Sequence, residues 1–166
     1  MTRTTLCITA SVAVLACGLT TIVLAQQPVA GRGTPPTGPK DLAVTQYANA
    51  WSRTTVAEIL EALKTCWTPE STYTDPQTDP ARGPMELARV ILNFHKALPG
   101  ATLTATSRVD VHHNVGRFSW NLKAPSAVVN GVTQPPQESD GFDFVEFNAD
   151  GTRILRIVGF FGPFPK

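Results

Sequence analysis

The chain has 166 residues, 42% hydrophobic and 16% charged, with 14 Lys and Arg against 13 Asp and Glu. That length suits one domain able to bury a core without staples. The near-even charge balance gives neither the basic field of a general nucleic-acid binder nor an acidic disordered tail.

Arg3 is the one charge in residues 1–25, and residues 6–25 carry none. Val23 and Ala25 are small residues placed for cleavage before Gln26. Residues 1–25 therefore read as a secretory signal peptide, and the mature chain as exported, periplasmic or secreted. An uncleaved anchor and a lipid-modified Cys17 are the alternatives, and only they would hold the chain at a membrane. Cleavage removes Arg3, which brings Lys and Arg from 14 down to the 13 of Asp and Glu. It also removes Cys7 and Cys17, leaving Cys66 with no intrachain disulfide partner. Residues 26–39, QQPVAGRGTPPTGP, are too rich in Pro and Gly for a helix or central strand and read as a linker. The folded domain is expected over 40–166.

Asp41 is placed to cap a first helix running to about Arg53. Thr55 with Glu58 forms a capping box for a second, in which Ile59, Leu60, Leu63, Cys66 and Trp67 follow at helical spacing until Pro69. Cys66 then reads as a buried structural thiol. A short strand spans 71–74, and DPQTDPARGP at 75–84 reads as a loop. Pro84 opens a third helix with Met85, Leu87, Ala88, Ile91, Leu92 and His95 on its apolar side. The period then shortens to two. Strands are predicted over 103–112, 117–122, 142–147 and 153–161, with turns at 114–116 and 148–151. Residues 124–140 read as a long hairpin loop with an edge segment at Val128–Val129. The order predicts an α+β fold: three N-terminal helices packed on a curved antiparallel sheet, a cone-shaped α+β barrel with an apolar pocket between its layers.

Several stretches resemble the nuclear transport factor two-like superfamily in its SnoaL-like branch. They are the helix around Tyr47–Trp51, CWTPESTYTDP at 66–76, Arg82-Gly83, HHNVGRFSWNL at 112–122, GFDFVEFNADG at 141–151 and RIVGFFGP at 156–163. The resemblance covers about residues 40–163. It implies the cone fold, and homodimers are common on it. One scaffold there serves isomerases, cyclases, dehydratases, hydrolases and non-enzymatic binders. Ketosteroid isomerases of that superfamily use an Asp base, with a Tyr and a protonated Asp stabilising the oxyanion. Asp75 in TYTDP resembles the base, and Asp143 in FDFVEFN the second Asp. Tyr47 lies near the position of the Tyr once an insertion before residue 60 is allowed. Residues 114–117, the 124–140 loop and His112-His113 depart from the isomerase pattern.

Each candidate has a functional and a structural reading. Asp75 can be a base in an apolar hollow or a turn cap. Asp143, between Phe142 and Phe144, shares a strand face with Val145 and Phe147; it can face a pocket or pair with Arg117 or Arg108. His113 shares a face with Val111 and is the pocket-side histidine of the pair, acting as acid or base, with His112 on the surface. Tyr47 can donate to an enolate-like oxygen or serve as a core aromatic. Trp51, Trp67, Val111, Phe118, Trp120, Val145 and Phe147 are expected to line the pocket. No metal site, cofactor loop or nucleic-acid surface is expected. The apolar run at 160–164 and aromatics on both sheet faces suggest a homodimer.

Three readings follow. One is an exported domain binding a small apolar or carbonyl-containing molecule. The second is a cofactor-independent isomerase, cyclase or dehydratase working on a carbonyl compound by carboxylate or histidine acid–base chemistry. The third is a non-catalytic dimerising interaction module.

Overall fold

The computed structural model describes residues 38–162. The signal-peptide reading and most of the linker lie outside these residues.

Helix α1 (Pro39–Ala50) starts two residues before the predicted cap, with Pro39 in its first turn. Asp41 is not the cap. Its carboxylate accepts from the Val109 N–H at 3.0 Å and pairs with Arg108 at 3.2 Å, tying α1 to a distant loop. Helix α2 (Val56–Leu63) is capped by Thr55, whose hydroxyl accepts from Glu58 N–H and bonds its carboxylate at 2.8 Å. Cys66 is buried and unpaired, and burial pushes its thiol up to about 12, as an inert structural thiol requires.

The second helix ends before Trp67. Trp67 instead opens strand β1 (Trp67–Asp75), more than twice the predicted length. Pro69 cannot donate a ladder bond, and β1 bulges there. Ser71 bridges the bulge: its hydroxyl accepts from Thr68 N–H at 2.8 Å and donates to the Ile154 carbonyl at 2.5 Å. The predicted loop at 75–84 contains strand β2 (Thr78–Arg82), an edge strand that tolerates Pro80. Helix α3 (Gly83–Ala97) follows, with the Glu86 carboxylate accepting from Arg82 N–H at 2.7 Å. Gly83 has φ +75°, and a Cβ there would stand 3.0 Å from the Pro69 carbonyl oxygen.

The single strand predicted over 103–112 is two, β3 (Thr102–Ala105) and β4 (Asp110–His112), both paired with β5 (Val115–Ala124). The 124–140 loop holds a small ribbon, β6 (Ala127–Val129) and β7 (Val132–Gln134), turned by Asn130 and Gly131 with φ of 50° and 78°. Strand β8 (Gln137–Phe147) starts five residues earlier than predicted, and β9 (Ile154–Phe161) closes the chain order.

Seven strands form one sheet in the order β2-β1-β9-β8-β5-β3, with β4 also on β5. The expectation of an antiparallel sheet is corrected: β1 and β9 run parallel, so the sheet is mixed. The three helices cover one face. Tyr47, Ile59, Leu63, Leu87, Ile91, Phe118, Val145, Ile154 and Ile157 are buried between the layers.

Candidate active site

A cavity of about 640 Å³ opens between α1, α3 and the covered sheet face. Helix α1 contributes Tyr47, and Trp51 at its C-cap follows one turn on; α3 contributes Val90, Asn93 and Phe94 at helical spacing. Inward positions of the strands supply Tyr73 and Asp75 from β1, Trp120 and Leu122 from β5, Asp143 from β8 and Phe161 from β9.

Asp143 is 4% exposed in the middle of a strand. Its Oδ1 accepts a hydrogen bond from Trp120 Nε1 at 2.7 Å. Burial pushes its carboxyl up to about 7, and the negative charge of Asp75 adds to the rise. Hydrogen bonding from Trp120 and Tyr47 holds it below where burial alone would put it. Trp120 reaches Asp143 because its cross-strand neighbour is Gly141; a Cβ at 141 would overlap the indole.

Asp75 accepts three hydrogen bonds: from Tyr73 Oη at 2.5 Å, Gln77 N–H at 2.7 Å and Thr78 Oγ1 at 3.1 Å. The Gln77 bond is the turn-capping role, and the carboxylate nonetheless lines the cavity. A carboxylate has about four lone-pair sites, so three donors leave one for a ligand. Between the two acids lies Gly159 of β9, paired with Asp143. A Cβ on Gly159 would stand 3.3 Å from both Asp143 Oδ1 and Asp75 Cβ. With no side chain at 159, β9 lets the two acidic side chains approach each other.

Tyr47 is buried, stacked on Trp67 at 5.8 Å with Phe118 and Trp51 at its edges. Burial first, and then the charge of Asp143, raise its phenol well above the ordinary range. It is therefore a proton donor in hydrogen bonds and not a base. Tyr73 is raised likewise, by burial and by its bond to Asp75.

The structure thus brings Tyr47, Asp75, Asp143, Trp51 and Trp120 to one cavity. Trp67, Phe118, Val145 and Phe147 are buried core and not wall. Val111 and His113 are corrected to the surface. Val111 is 40% exposed on β4, a three-residue strand whose residues are all exposed. His113 turns the β4–β5 hairpin with φ 54°, and its carbonyl accepts from Lys40 Nζ at 2.5 Å. His112 is exposed beside it, with the two Nδ1 atoms 3.3 Å apart. Sequence reasoning missed Tyr73 and Phe94; Tyr73 sits two residues from Asp75 and so shares its face. Among the described residues, no three His, Cys, Asp or Glu side chains gather as metal ligands would.

The chain folds as a SnoaL-like domain of the nuclear transport factor two-like superfamily. It is similar to a provisionally assigned isomerase of the SnoaL-like family from Agrobacterium tumefaciens str. C58, with 26% identity over 75% of this chain and 98% of the other, at TM-score 0.60. A provisionally assigned SnoaL-like polyketide cyclase from Jannaschia sp. CCS1 shares the fold at TM-score 0.55 and 10% identity, over 78% of this chain and 91% of the other. So does a hypothetical protein of ketosteroid isomerase-like fold from Catenulispora acidiphila DSM 44928, in complex with trimethylamine, at TM-score 0.57 and 14% identity over 76% and 88%. No family model and no curated protein matches the chain.

Proposed function

We propose that this domain is a cofactor-independent enzyme that moves a proton on a carbonyl compound, as an isomerase or cyclase does. The supporting observation is that Tyr47, Asp75 and Asp143 line one largely apolar cavity. Asp75 takes the proton from the carbon next to the carbonyl, and the C–H electron pair moves to the carbonyl oxygen as an enolate. Tyr47 and protonated Asp143 donate to that oxygen. Trp120 occupies Oδ1 of Asp143, which leaves Oδ2 to carry the donated proton. Return of the proton from Asp75 to a different carbon completes an isomerisation; attack of the enolate carbon on an electrophile within the same molecule completes a cyclisation. Similarity to the Agrobacterium and Jannaschia proteins supports the same reaction class.

Solvent deuterium uptake next to the carbonyl of 2-tetralone and larger fused-ring ketones, followed by NMR, tests this. The expected result is acceleration over buffer that Asp75→Asn abolishes and Tyr47→Phe reduces. No acceleration, or acceleration indifferent to Asp75→Asn, overturns it. The three donors already on Asp75 favour a second reading, in which the acid is structural and the cavity binds its ligand without turnover. Saturable ketone binding without exchange would select it. Export by residues 1–25, a cone-shaped closure of the sheet around the cavity and a homodimer complete the proposal. The outer-face pair Phe142 and Phe160, stacked at 4.9 Å, supports the dimer.

A further inference from the structure

We infer that the cavity is built to take an organic cation, a ketone carrying a tertiary or quaternary ammonium group. The inference rests on the reading of this cavity as the substrate site. Lys, Arg and His are absent from the cavity wall among the described residues, whereas Asp75, Asp79 and Asp143 are present. In a chain with 14 Lys and Arg against 13 Asp and Glu, that is local segregation of charge. The ion pairs among the described residues fall on other acids, Glu61, Asp41, Asp110, Glu138 and Glu146. The ionised acids of the cavity are thus not offset by protein cations, and a fixed anionic group on a ligand finds no cationic partner in the wall.

The rest of the wall has the matching chemistry. Trp51 packs against Tyr73 at 5.3 Å and Phe94 at 5.5 Å, while Trp120 meets Phe161 at 5.8 Å. Aromatic faces are negative and attract a poorly hydrated cation, most strongly where water is excluded. The acceptors at Asp75 and at Asp143 Oδ1 are largely taken. Asp75 already holds three donors and Asp143 Oδ1 holds the Trp120 indole. A primary ammonium, which needs several acceptors, is poorly served there. An alkylated ammonium needs only ring faces and the field of Asp75 and Asp79.

Three matched ketones test the inference: phenacyltrimethylammonium, its neutral isostere 3,3-dimethyl-1-phenylbutan-1-one, and the anionic phenacylsulfonate. Binding is read by tryptophan fluorescence and calorimetry at one pH and ionic strength. The expected order is cation, then neutral, then anion, with the cation at least about tenfold tighter than the neutral compound. Asp79→Asn, at the exposed rim, should weaken the cation by about two- to fivefold and leave the neutral ketone where it was. Equal binding of cation and isostere, competition by the sulfonate, or binding of none of the three overturns the inference. Deuterium uptake by the bound ketones is scored separately. Charge order without exchange overturns the proton-transfer reading alone, and exchange without charge order overturns the cation inference alone.

Discussion

Replacing Asp143 with Asn should stabilise the domain at alkaline pH and leave it nearly unchanged in acid. The reasoning starts from the carboxyl that burial pushes up to about 7 in the folded chain. In the unfolded chain it titrates at about 3.9. Below about pH 4 both states hold the proton, and the group brings no pH-dependent penalty. Between about 4 and 7 only the folded chain holds it, so this group makes stability fall as pH rises, by about 1.4 kcal/mol per pH unit. Above 7 both states are ionised and the full penalty of about 4 kcal/mol is in place. Asn keeps an oxygen for the Trp120 indole and an N–H where the carboxyl has its proton, and it does not titrate. Urea unfolding of both proteins at pH 4.5 and pH 8 reads the group together with its coupling to Asp75, because titrations of groups that do not interact with Asp143 cancel in the difference. The variant should gain about 2–4 kcal/mol relative to the parent between those two pH values. An equal difference at both, or one of opposite sign, would refute the buried-acid reasoning. Ketone exchange should fall in the same variant, because an amide is a weaker donor to a developing enolate than a carboxylic acid.

Two further substitutions probe the geometry around that acid. Trp120→Phe removes the 2.7 Å indole bond while keeping the burial, so Asp143 should rise further above about 7. A hydrogen bond to a charged group contributes about 1.5–3 kcal/mol, which moves the midpoint up by about 1–2 pH units. Carbon-13 NMR of labelled aspartate reads it, and an unmoved midpoint counts against the bond. Gly159→Ala puts a methyl 3.3 Å from both Asp143 Oδ1 and Asp75 Cβ on a strand that accepts alanine. The chain should melt within a few degrees of the parent and lose ketone binding about tenfold or more; parental affinity would mean that the ligand does not depend on how closely the two acids approach.

Local pattern in this chain reports which residues share a face, and long-range pairing decides what each face meets. Alternation in β8 puts Asp143, Val145 and Phe147 together, and all three are buried on the helix-covered side. The same reasoning joined His113 to Val111, but β4 is only three residues long and its side chains lie open to solvent. Trp67 follows Leu63 and Cys66 at a spacing that suits a helix. What claims it for a strand is pairing with Ile154, far along the chain and with no local trace. The parallel joining of β1 to β9 was illegible for the same reason. It is also what assembles the site. Only when β9 lies between β1 and β8 does Gly159 come between Asp75 and Asp143. The acids were legible as types and positions, since a carboxyl within an aromatic strand calls for a partner or a pocket. Their close approach depends on a side chain that is absent, which a sequence records as one glycine among 12. Its meaning comes from the two strands that flank it.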